Sequence, residues 1–80
     1  MSARRSAEQG NASEQVNLGV MYAKGDGVPK DLVIACMWGN LAAAQGEGDA
    51  ENAREALGKI MTSAQIAEGQ RLSREWKPNP

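Results

Sequence analysis

The stretch from Asp31 to Gln45 limits what this chain can fold into more than any other. At the α-helical period, Ile34, Ala35, Trp38, Leu41 and Ala42 fall on one stripe, and Leu32, Cys36, Gly39 and Ala43 fall on a second, on a different side. Only Asn40 and Gln45 interrupt the apolar character. A helix that is apolar nearly all round is buried on more than one side. In a chain of 80 residues, that burial requires helices both before and after it. The pattern therefore predicts a sandwiched helix in one small domain, because a chain of this length builds a single modest core.

The flanking segments supply the neighbours. An earlier window runs from Asn11, an N-capping residue, to Lys24, with Ala12, Val16, Gly19 and Ala23 on one stripe and Ser13, Asn17 and Lys24 on a narrow polar strip. Gly25-Asp26-Gly27-Val28-Pro29-Lys30 reads as a turn, and Asp31 caps the helix after it. After Gly46-Glu47-Gly48, a third helix carries Ala53, Ala56, Leu57 and Ile60 on one side. Thr62 and Gln65 form a capping-box pattern for a fourth, with Ile66, Gly69, Leu72, Ser73 and Trp76 inward. Four helices are expected, at 11–24, 31–45, 49–60 and 63–76, with an extra turn before Gly10. The expected core is Leu18, Val28, Ala35, Trp38, Leu41, Leu57, Ile60, Ile66 and Leu72.

The chemistry-bearing residues are too few for most catalytic schemes. Histidine is absent and Cys36 is the one cysteine, so no disulfide forms within the chain and no thiolate/imidazole zinc site can be assembled. Gly25-x-Gly27 lacks the third glycine of a dinucleotide fingerprint, and Gly58-Lys59 lacks the first glycine of a phosphate loop. The carboxylates Glu47, Asp49, Glu51 and Glu55 read as a solvated helix start, where the dipole favours acids. Trp38 and Trp76 read as packing residues. With nine basic and ten acidic residues the net charge is −1, which leaves no basic footprint for nucleic acid or an anionic membrane. The longest apolar stretch, Leu32 to Trp38, is too short to span a bilayer. The first fifteen residues hold no secretory apolar run, which favours the cytoplasm; a leader removed ahead of Met1 would make the location periplasmic. Neither an enzyme nor a cofactor-binding protein is expected.

The chain also repeats itself. Ala7-Glu8-Gln9-Gly10-Asn11-Ala12 recurs as Ala43-Ala44-Gln45-Gly46, followed by Asp49-Ala50, and Gly10 and Gly46 are 36 positions apart (46 − 10). A period in the range of about 20–50 residues signals stacked repeats. The ordered positions Asn17-Leu18-Gly19-Val20-Met21-Tyr22, Gly25-Asp26-Gly27-Val28-Pro29-Lys30-Asp31, Ala35, Trp38 and Ala42-Ala43-Ala44-Gln45-Gly46 resemble the Sel1-like repeat, a tetratricopeptide-like helical repeat, in its bacterial form. Met61 to Trp76 looks like the tail that often comes after the last such repeat. Gly19, Ala35 and Ala42 are small where two helices would approach closely, and Trp38 would fill the space between hairpins.

The resemblance implies an all-α fold of α/α hairpins stacked as a short right-handed solenoid, with about one full repeat plus a second, C-terminal helix pair. The organisation would be a single domain over 1–80: an N-terminal segment 1–10, a full hairpin 11–45, a helix pair 46–76 and a tail 77–80. It also implies a protein–protein interaction module, an adaptor or scaffold for a protein or peptide partner. In such arrays the first helix of each hairpin lines the inner surface, which points to Ser13, Asn17, Met21 and Lys24 as partner-binding residues. The alternative is a structural, self-associating repeat unit or a piece of a longer repeat protein. Because residues 1–10 are short and polar, they are expected to cover little of the first helix. Weak homo-oligomerisation through the first hairpin, around Val16, Val20 and Ala23, is the corresponding expectation, with Glu14 opposing it.

Overall fold

The computed structural model describes residues 3–77. Residues 1–2 of the N-terminal segment and 78–80 of the tail lie outside the described residues. The protein is all-α: α1 spans Ala3–Glu8, α2 Ala12–Lys24, α3 Leu32–Ala44, α4 Gly48–Gly58 and α5 Ser63–Glu75. No strand occurs among the described residues. The four expected helices are α2 to α5, with ends displaced by at most two residues, and the extra turn before Gly10 is α1.

Local chemistry accounts for most of the boundaries. The Glu14 backbone N–H donates to Asn11 Oδ1 at 2.9 Å, and that of Ile34 to Asp31 Oδ1 at 3.1 Å. At α5 the Gln65 N–H donates to Thr62 Oγ1 at 3.1 Å while the Thr62 N–H donates to Gln65 Oε1 at 2.9 Å, the reciprocal capping box. Gly25 closes α2 at φ +72°, its N–H donating to the Met21 carbonyl at 2.8 Å. The helix α4 starts at Gly48, one residue earlier than expected, and Glu47 caps it without a side-chain bond.

The helix α3 packs against α2, α4 and α5. It contributes Met37 and Trp38 to a cluster with Ala7 and Leu18, and Ala35 and Cys36 to a second cluster with Leu57 and Met61. Burial on two sides is thus what its double stripe demands. On the first side Trp38 meets Trp76 edge to face, with ring centroids 5.7 Å apart and planes at 72°, an arrangement favoured by the ring quadrupoles. Toward α2, Gly19 is placed so that an added Cβ would lie 3.3 Å from the Ala35 carbonyl oxygen.

Three expectations need correction. Ile60, assigned to the core, is 64 % exposed; it falls in the turn after Gly58, where the backbone has left the helix and its side chain is no longer held against α3. Leu41, Ile66 and Leu72 are half-buried at the edges of the two clusters and Val28 is half-buried in the α2–α3 turn, whereas Leu18, Ala35, Trp38 and Leu57 are buried. The N-terminal segment does cover part of the first long helix: α1 packs on α2, Ala7 is fully buried, and the buried Gln15 donates through Nε2 to the Ala7 carbonyl at 3.1 Å. A residue as small as alanine lets even a six-residue helix sit close.

The internal repeat is visible in the backbone. The bonds Gln9 N–H to Ser6 O, Gly10 N–H to Ala7 O and Asn11 N–H to Ser6 O close the α1–α2 junction, and Gln45 to Ala42, Gly46 to Ala43 and Glu47 to Ala42 close the α3–α4 junction. Each bond of the second set is the first shifted by 36 positions. Gly10 at φ +100° and Gly46 at φ +83° occupy the matching left-handed residue, where a side chain would be strained.

Candidate partner-binding groove

Between α2 and α4 the surface opens into a groove of about 240 Å³. One wall is Val16, Val20, Ala23 and Lys24 of α2, and the other is Ala53, Ala56, Leu57 and the trailing Ile60. Gly19 of α2, Ala35 and Gly39 of α3 and Ala50 of α4 complete the lining. The groove exists because the two walls are lined by small residues. Ala53 and Ala56 do not reach across to α2, and the glycines leave backbone where side chains would fill the space. Val20 at 38 % and Ile60 at 64 % exposure are the two large hydrophobic residues left in solvent among the described residues, and both line it.

The ends of the groove differ in charge. Where α2 and α4 begin, Ser13 Oγ donates to Glu47 Oε2 at 3.4 Å, and Asp49 is exposed in the first turn of α4. A second bond, from Gln45 Nε2 to Gln15 Oε1 at 2.9 Å, holds this end of the two hairpins together. Where the helices stop, the exposed Lys24 lines the far end, and the exposed Lys59 caps the end of α4 without lining the groove.

The four residues expected to contact a partner are dispersed around this groove. Lys24 lines it, and Ser13 sits at its acidic end, bonded to Glu47. Asn17 is exposed on the same side of α2 but does not line it. Met21 is half-buried, packed on the cluster of Leu18 and Trp38. The residues that make the groove instead come from the apolar stripe Val16, Val20 and Ala23 and from the Ala53, Ala56, Ile60 stripe of α4. Both stripes are legible in the sequence, but the α4 stripe reads there as core.

A second concavity, of about 230 Å³, lies over α3 between α4 and α5 and is lined by Cys36, Asn40, Arg54, Leu57, Met61, Ile66 and other residues of these helices. Burial pushes the Cys36 thiol above the ordinary thiol range, opposed by the Asn40 amide, which donates to Sγ at 3.6 Å, and by the charge of Arg54. The carboxylates nearby are occupied elsewhere or solvated: Glu51 pairs with Arg54 at 3.1 Å, and Glu68 and Glu75 both pair with Arg71. No group of three or more Cys, Asp or Glu side chains among the described residues could hold a metal ion. No helix among them is long and apolar enough to cross a membrane.

Fold and groove together describe a small all-α protein with an apolar groove between α2 and α4. Compared with family models, with curated proteins and with solved structures, the chain matches none.

Proposed function

We propose that this chain is a protein–protein interaction module, an adaptor or scaffold of the Sel1-like repeat kind. Its helices α2 to α5 would stack as a short right-handed solenoid, and the α2/α4 groove would seat a segment of a partner protein or peptide. The observation that carries the reading is the groove itself: an apolar concavity between the first helices of two successive hairpins, with Val20 and Ile60 left in solvent. Exposed apolar surface concentrated in a concave site is what recognition surfaces share. The 36-residue recurrence of the junction bonds supports the solenoid part of the reading. The occupant is a segment with an aliphatic stripe, its side chains small enough to reach the Gly19 and Gly39 backbone. The reading assigns the chain no catalytic step and no cofactor.

The test is a peptide-display selection against the immobilised wild type, counter-screened on Ala56→Glu. Ala56 is exposed, so the variant places a carboxylate in the groove wall without disturbing the core. Enriched sequences with an aliphatic stripe that lose binding to Ala56→Glu support the reading. Enriched sequences that bind both proteins equally, or no enrichment at all, overturn it.

A further inference from the structure

We propose that, without a partner, two copies of this chain close the α2/α4 groove against each other about a two-fold axis running across the two helices. Each α2 then lies antiparallel on its copy, and each α4 on its copy. The inference rests on the reading above only in taking this groove as the docking face.

Shape is the first argument. A two-fold interface uses one patch twice, so the patch must complement itself. Here the large exposed side chain, Ile60, stands at the end where the helices stop, and Ala53 lies toward the end where they begin. An antiparallel copy brings each Ile60 over the other's shallow alanine stretch.

Charge is the second argument, and it selects the direction. Glu47 and Asp49 mark the end where α2 and α4 begin, and Lys24 and Lys59 the end where they stop. Within one chain this placement merely suits the helix dipoles. Neither lysine is in an ion pair among the described residues. Across the proposed axis, Lys24 of each copy comes to the Ser13–Glu47 end of the other, and Lys59 comes to Asp49. An axis along the helices would instead set α2 on the other copy's α4 in parallel and bring the lysine ends together, which like charges disfavour. The groove is therefore self-complementary in one orientation and self-repelling in the other.

The experiment is sedimentation equilibrium at low salt over a wide concentration range, with circular dichroism on every variant. The wild type is expected to move from 8.5 kDa toward twice that mass, while Val20→Glu and Ala56→Glu stay monomeric and helical. Lys59→Glu or Asp49→Lys alone removes both symmetry-related pairs and should weaken the dimer by about two- to thirtyfold, twice the free energy of a single exposed ion pair, and the double reversal should restore it. A wild type that remains at 8.5 kDa throughout, or a dimer that survives both Val20→Glu and Ala56→Glu, overturns the proposal. A dimer lost in those variants but indifferent to the charge reversals overturns the antiparallel arrangement. A monomeric wild type that still selects peptides sensitive to Ala56→Glu removes the dimer and leaves the module reading standing.

Discussion

Gly69 of α5 lies so close to Cys36 of α3 that a Cβ added to the glycine would sit 2.8 Å from both the Cβ and the Sγ of the cysteine, and 3.2 Å from the Val33 carbonyl oxygen. The approach of the last helix to the central one is set at this point. Gly69→Ala improves intrinsic helix propensity by up to about 1 kcal/mol, but the side chain has to force the helices apart or displace a buried thiol. Overpacking of this kind costs about 1–3 kcal/mol. Urea denaturation monitored by tryptophan fluorescence should show a net loss of stability. A gain would mean that α5 moves away from α3 at little cost.

Gly39 gives the opposite expectation. It is buried in the middle of α3, yet an added Cβ would meet only Arg54 Cγ, at an ordinary contact distance of 3.5 Å. The helix gains and the neighbours lose nothing, so Gly39→Ala should stabilise the protein by roughly 0.5–1 kcal/mol. A rise in the urea midpoint with unchanged slope is the expected result.

Gln15 is the one fully buried polar side chain among the described residues, donating to Ala7 O and accepting from Gln45 Nε2. It joins α1, α2 and the end of α3. The Ala7 carbonyl keeps the Gly10 N–H, so Gln15→Ala should cost about 2–4 kcal/mol through the two lost side-chain hydrogen bonds and the space left behind. Amide hydrogen exchange should report the loss first at Gly10 and Asn11. Uniformly unchanged protection across this junction would count against the network's role.

Cys36 supplies a pH dependence. Its thiol is held above the ordinary range in the folded state, chiefly by burial. Below the unfolded thiol's pKa both states hold the proton, so the contribution to stability is fully present. As pH rises past that value the unfolded chain ionises first, and stability falls until the folded pKa is reached. The wild type should therefore lose stability through the alkaline range, and Cys36→Ala should lack that component. Thiol-reactive dye at mildly alkaline pH should label the native protein far more slowly than the urea-unfolded chain.

Much of the fold is legible because its determinants are local. Asn11, Asp31 and Thr62 each cap a helix through a side chain that reaches only three residues ahead, so neighbouring residues decide the matter. The double apolar stripe of α3 states in the sequence that the helix is buried on both sides. The glycines at 10 and 46 mark turns that nothing with a side chain enters freely.

The groove was not decided in that way. Val16, Val20, Ala53, Ala56 and Ile60 carry the same helical periodicity as core residues, and periodicity says only that a face is apolar, not what lies opposite it. That depends on how far apart α2 and α4 are held, and the spacing comes from contacts distant in sequence: Gly19 against Ala35, Gln15 against Gln45, Leu57 against the underside of α3. The role of Ala7 is of the same kind, since a lone alanine becomes a buried contact only once Gln15 reaches across to its carbonyl. Helix identity comes from interactions within a few residues, which sequence order alone supplies. Whether an apolar stripe ends as core or as an open face depends on the separation of packed helices, which exists only in the folded chain.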